Sequence, residues 1–212
     1  MLKRDFYLRG ANIVAPELLG KLLVHKTKEG LTSGMIVEVE AYVGTSDKGA
    51  HSYPNKRTPR TEIQFGEGGF AYVYSIYGMH CCFNVVTNKK DIPEAVLVRA
   101  LEPGDGIELM MKRRVTQDAV QLCSGPGKLC CALDISRANY GDDLCGDELF
   151  IDEYLTITPQ NIYVSPRINI DYAGDDAALL WRYFIKDNKF VSKVAKKYST
   201  NKTLDSIRGI AT

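Results

Sequence analysis

FAYVYSIYGMHCCFNV, from Phe70 to Val85, decides how this chain is read. Tyr72 and Tyr74 stand two apart, so in a strand they share one face while Val73 and Ser75 take the other. The alternation stops at Tyr77-Gly78, where glycine supplies the backbone freedom that a tight turn requires. A second run, MHCCFNVV, then leads away. The pattern predicts a β-hairpin with a large aromatic exposed at its tip, a placement suited to touching something rather than to filling a core.

Outward from this hairpin, the same period-two signal recurs. GMIVEVEAYVG (Gly34 to Gly44) alternates, with Met35, Val37, Val39 and Ala41 expected on one face and Ile36, Glu38, Glu40 and Tyr42 on the other. EAVLVRALEP (Glu94 to Pro103) is an apolar strand broken only by Arg99. A further strand is expected over Lys21 to Lys26, preceded by a helical turn that starts at Pro16 and runs to about Leu19. Short helices are expected over Gly104 to Arg114 and after Pro126. Strand-like runs LFIDE, IYVSPRINI and LLWRYFI follow Asp147, with a short basic helix at the end. Between Gly44 and Gly69 lies a long irregular segment, of the kind that is usually functional when it occurs inside a compact domain. The fold expected is mixed α+β: a single domain over residues 1–212, with a curved, largely antiparallel sheet flanked by helices and a protruding hairpin.

Composition narrows the function. With 212 residues, 45% hydrophobic and 25% charged, the chain can bury one sizeable core, and no apolar run reaches the length of a membrane helix. The first twenty residues carry scattered charges and no signal-peptide core, so a cytoplasmic or nucleoid-associated protein is expected. The net charge of +1 gives no global sign of a nucleic-acid partner, although Lys56, Arg57 and Arg60 form a local cluster that could equally be a solvated face. The six cysteines include two adjacent pairs and no C-x-x-C spacing, which favours reduced, buried thiols over a zinc site. Phosphate-binding, dinucleotide-binding and nucleophile-elbow motifs are absent, so neither a cofactor nor a covalent nucleophile is expected.

The polar residues that interrupt apolar strands are the candidates for chemistry. Glu38 and Glu40 could form an ordinary charged outer face, but Glu40 and Tyr42 close a strand just before the long loop, where catalytic groups collect. Arg99 needs a partner, and Glu38, Glu40 and Glu102 are within reach in sequence terms. It could serve structure alone or orient a carboxylate and its water. His51 is a loop histidine and Asn84 a polar residue in an apolar strand; each has a bland reading and a ligand-reading one. Taken together they suggest a planar aromatic ligand stacked among Tyr42, Tyr74 and His51, with its edge tested by Asn84 and water aimed by Glu40.

The stretches LLGKLLV, IVEVEAYVG, AHS, TPR, YVYSIYGMHCCFNVV, VLVRALEP and LCSGPGKLC, with the weaker tail SPRINIDYAG, WRYFI and FVS, run in order from Leu18 to Ser192. In these the chain resembles the alkyladenine DNA glycosylases, also called 3-methyladenine DNA glycosylases of the mammalian type. The resemblance implies excision of alkylated or deaminated purines from damaged double-stranded DNA by a compact, monomeric enzyme with no metal, cofactor or obligate protein partner. It implies Glu40 as general base, Arg99 as holder of the water, and Tyr42, His51, Tyr74, Asn84 and Cys82 as the base pocket. Tyr77 and Met79 would fill the gap in the duplex, and Lys56, Arg57, Arg60 and Lys128 would contact its backbone. Two positions depart from the family. Asn169 stands where glycine is frequent, which is expected to alter a turn far from the pocket, and His80 stands where some relatives carry larger aromatics, which would change how the hairpin seats. A non-catalytic duplex-binding module and a hydrolase of free purine nucleosides are the alternatives.

Overall fold

A computed structural model describes residues 1–76, 78 and 80–208. Among these, eight strands form one open, wholly antiparallel sheet: β1 Leu22–Thr27, β2 Gly30–Tyr42, β3 Ala71–Ile76, β4 His80–Thr87, β5 Glu94–Pro103, β6 Leu149–Asp152, β7 Ile162–Ser165 and β8 Arg182–Ile185. Six α-helices accompany them: α1 Arg4–Tyr7, α2 Ala11–Leu18, α3 Ile107–Arg114, α4 Ala119–Leu122, α5 Pro126–Leu133 and α6 Leu204–Arg208. The strand order is β3-β4-β5-β2-β1-β6, and β7 joins through β8, which pairs with β2. The mixed domain expected from the sequence is therefore present, with β2 at its centre.

β2 can serve three neighbours because its register is broken. It pairs with β1 from Gly30 to Met35 and with β8 from Glu38 to Glu40, while β5 runs along its other edge. Against β5 the register shifts on both sides of Glu38, so Val37 and Arg99 each fall out of the one-to-one pairing. Such a bulge turns the strand and redirects its side chains. It also corrects the expected faces. Ile36, not Val37, shares the main core with Val39 and Ala41, and Val37 packs on the other side with Ala100 and Phe190.

One face of the sheet is conventional core. Val73, Phe83, Val85, Val96 and Val98 are buried there with Val14 and Leu18 of α2 and with Leu129 and Leu133 of α5. Each such side chain withdrawn from water contributes about 1.5–3 kcal/mol. The other face carries polar and aromatic residues under a roof formed by the long loop.

Two helix starts differ from expectation for one reason each. α2 begins at Ala11 rather than Pro16, because the carboxylate of Glu94 accepts a hydrogen bond from the Ala11 N–H at 2.6 Å. A charge supplied from 83 positions away satisfies one exposed donor of the first turn and complements the helix dipole. α3 begins at Ile107, since Gly106 takes a left-handed φ of 75° against strand β2, where a Cβ would lie 2.3 Å from the Leu31 carbonyl oxygen. Of the terminal runs, only short cores are strands, β6 to β8.

The hairpin is as expected: Tyr72 faces Asn84, Tyr74 faces Cys82 and Ile76 faces His80. Gly78 has a φ of 72°, and among the described residues nothing lies within 4 Å of the space its Cβ would fill. His80, at the turn end of the hairpin, packs on α5, its Cβ 3.1 Å from the position a Cβ on Gly127 would take.

Candidate active site

Antiparallel pairing puts directly opposed residues on the same face. One transverse row therefore crosses five strands: Tyr72 on β3, Asn84 on β4, Leu97 on β5, Glu40 on β2 and Arg182 on β8. Beside this row a cavity of about 380 Å³ opens, within the roughly 300–1,000 Å³ range of small-molecule sites. Tyr42, His51, Tyr72, Tyr74, Cys82, Asn84 and Arg99 all line it. The rings of Tyr72 and Tyr74 lie 5.2 Å apart and His51 meets Tyr74 edge-on at 4.7 Å, which makes an aromatic wall.

The carboxylates are buried, not solvated, which removes the charged-outer-face reading: Glu38 and Glu40 are each 0% exposed. Their environments differ. Glu38 accepts from Arg99 Nε at 3.0 Å, Arg182 Nε at 2.7 Å, the Ser192 hydroxyl at 2.9 Å and the Ser192 N–H at 2.8 Å. Burial alone would raise its carboxyl, but the two guanidiniums and the serine outweigh it and hold the group below the usual carboxylate range. Glu38 is an anchor for Arg99. Glu40 is less saturated. Its Oε1 accepts the Ile168 N–H at 2.8 Å and lies 3.4 Å from Arg99 Nη1, while Oε2, among the described residues, accepts only the Tyr42 hydroxyl, at 2.9 Å. Glu40 sits just behind the cavity wall, and its three partners, Tyr42, Arg99 and Ile168, are on that wall. Burial holds Tyr42 far above its ordinary titration range, so it remains a neutral donor to Glu40. Glu102, a third candidate partner of Arg99, instead accepts from Asn188 at 2.8 Å.

Asn84 is 3% exposed and donates through Nδ2 to the carbonyls of Tyr72 at 2.9 Å and Cys82 at 3.5 Å. Its Oδ1 is the polar atom left for the cavity. Burial pushes the Cys82 thiol up to about 11, so it is an unreactive wall group.

His51 approaches Arg60 through Nε2 at 3.4 Å and Tyr72 through Nδ1 at 2.8 Å. Guanidinium only donates, so Nε2 accepts and the ring proton belongs on Nδ1. Burial, aided by Arg60 and Lys56, lowers His51 to about 4. The folded state thus takes up this proton later than the unfolded state does. Neutral His51 neither adds nor removes stability above pH 6.5; as pH falls from there toward about 4 the unfolded chain gains the proton first and stability declines. The His51 ring-proton NMR signal is expected to titrate near pH 4, with no His51 step between pH 5.5 and 7.5. A midpoint near 6.5 would contradict the assigned tautomer network.

At the mouth, Lys56 and Arg60 are exposed, and the Arg60 guanidinium lies 4.7 Å over the Tyr74 ring. Arg57 is less available: it is bonded to Glu62 at 2.6 and 2.9 Å and reaches Asp91 at 3.4 Å. Lys128 is held by Gln121 at 2.5 Å. Tyr77 and Met79 lie outside the described residues. Among the described residues no helix is long and apolar enough to cross a membrane, and the six cysteines are free thiols.

Several contributors carry little or no signal in the sequence. Arg137 joins Arg60 along a groove that shares Tyr74 with the cavity. Gln64, from the irregular loop, is on the cavity wall. Asn169 also lines the cavity, so its expected placement far from the pocket is corrected. It has a φ of 59°, a left-handed conformation that glycine adopts freely and asparagine tolerates. Only Tyr72 had a usable signal, its spacing from Tyr74.

The cavity thus combines an aromatic slot with a buried carboxylate–guanidinium pair. Residues 5–189 match the family described as Methylpurine-DNA glycosylase (MPG), and the chain belongs to it. It is a DNA glycosylase, a repair hydrolase acting on N-glycosyl bonds. The chain is 50% identical to a protein of Alkaliphilus oremlandii over 91% of its own length and 98% of the relative's. Against Clostridium acetobutylicum the identity is 49%, covering 92% and 98%, and against Desulfitobacterium hafniense it is 47%, covering 90% and 98%. Each of these relatives carries the name "Putative 3-methyladenine DNA glycosylase".

Proposed function

We propose that residues 1–212 act as one glycosylase domain that takes alkylated or deaminated purines out of duplex DNA and hydrolyses their bond to deoxyribose. The class includes 3-methyladenine, 7-methylguanine, hypoxanthine and ethenoadenine. The observation that carries this reading is the aromatic cavity lined by Arg99, with Glu40 just behind its wall 3.4 Å from the Arg99 guanidinium.

The flipped base stacks among Tyr42, Tyr74 and His51. Stacking on aromatic side chains contributes about 1–3 kcal/mol per base, and a cationic alkylpurine gains further from electron-rich faces. Asn84 stands against the base edge, where an extra exocyclic amino group such as guanine's would collide. Water held beside Arg99 attacks C1′, and Glu40 Oε2, which has acceptor capacity left, takes its proton. The glycosidic electron pair leaves with the purine, readily when the base already bears positive charge. Tyr77 and Met79 would occupy the space vacated in the duplex, with Lys56, Arg60, Lys128 and Arg137 near the phosphates. Product is an abasic site, the start of base excision repair.

Single-turnover base release from duplexes that each hold one lesion tests this reading. Release from at least one lesion duplex, with none from undamaged DNA and with binding that weakens steeply as salt rises, is expected. Tight binding without release would indicate a binding module instead, and salt-insensitive cleavage of free nucleosides a small-molecule hydrolase.

A further inference from the structure

The polar side chains around the cavity are nearly all committed. Tyr42 donates to Glu40, both His51 nitrogens are engaged, Tyr172 donates to the Gly49 carbonyl, and Asn84 Nδ2 is spent on two backbone carbonyls. Gln64 is the contrast. It is 4% exposed and lines the cavity, yet its side-chain amide has no hydrogen bond among the described residues. Its position is firm. The Gln64 N–H donates to the Thr61 carbonyl at 3.0 Å, and the next residue, Phe65, is buried under the Arg57 guanidinium at 4.9 Å.

An amide on a cavity wall with no protein partner among the described residues keeps both its donor and its acceptor available to whatever enters the cavity. We propose that Gln64 reads the base: its Nε2 donates a hydrogen bond to an acceptor on the edge of a neutral purine, such as the carbonyl oxygen of hypoxanthine. The inference rests on the glycosylase reading of this cavity and adds its selectivity. Asn84 can offer the ligand only an acceptor, so Gln64 supplies the complementary donor. Cationic alkylpurines are held by their charge over the tyrosine faces and depend little on that bond. Neutral deaminated purines lack the charge and depend on it.

Single-turnover release of hypoxanthine and of 7-methylguanine, from otherwise identical duplexes, would be compared for wild type, Gln64→Met and Gln64→Glu. Methionine conserves volume and removes both polar atoms; glutamate keeps the acceptor and loses the donor. Both variants are expected to release hypoxanthine about tenfold more slowly, the scale of one hydrogen bond, with 7-methylguanine slowed no more than about twofold. Equal losses on both lesions, no loss on either, or a full hypoxanthine rate in Gln64→Glu would each overturn the proposal while leaving the glycosylase reading intact. Wild type inert on both bases would overturn the two together.

Discussion

Glu40→Gln is expected to release damaged bases about 10³-fold more slowly than wild type, within the roughly 10²–10⁴-fold range of a lost general base, and to bind lesion duplex nearly as well. The substitution is isosteric. Glutamine can still accept the Ile168 N–H, and Arg99 stays fixed through Glu38, so the cavity keeps its shape. What is lost is a group able to take the proton of water. Single-turnover kinetics beside a binding titration separate the two effects. A rate within tenfold of wild type would mean that Glu40 is not the base.

Glu38→Gln, two residues earlier, is expected to act on the fold. Removing this charge leaves Arg99 and Arg182, which are 8% and 1% exposed, without their shared carboxylate. Breaking a buried ion pair from one side destabilises by about 3–5 kcal/mol. Urea unfolding at pH 7 measures the loss, and a change below about 1 kcal/mol would show that the cluster relaxes around a neutral amide. The pH sign is the usual one for a depressed carboxylate. Its contribution is complete above the unfolded value near 4.5 and is lost as pH falls through the lower folded value. Glu38→Gln should therefore flatten the acid limb of wild-type stability. The two neighbouring carboxylates are distinguished in this way, one by rate and one by stability.

Local spacing made much of this legible. Tyr72, Tyr74 and the Tyr77-Gly78 turn described the hairpin, and an arginine inside Val96–Leu101 required a buried carboxylate partner. Family motifs alone point to Tyr42, His51, Asn84 and Cys82, which line one cavity. What could not be read was set by distant residues. The bulge at Val37 reverses a face that strict alternation misassigns, and it depends on how β5 and β8 meet β2. Glu94 starts a helix 83 positions before itself. Gln64 and Asn169 belong to irregular backbone, where no periodicity says which way a side chain points.

The order in which the chain is made matters for an enzyme that cuts bases from DNA. Of the four hydrogen bonds that hold Glu38, three come from Arg182 and Ser192. Glu40 in turn is steadied by the Ile168 N–H. Every group with chemical capacity, from Glu40 to Arg99, is thus synthesised long before the residues that arm it. A nascent chain still short of Ser192 carries the tyrosines and the base but lacks their support. A chain cut before Arg182 would therefore lack three of the four hydrogen bonds that fix Glu38 and, if cut before Ile168, the contact that steadies Glu40 as well.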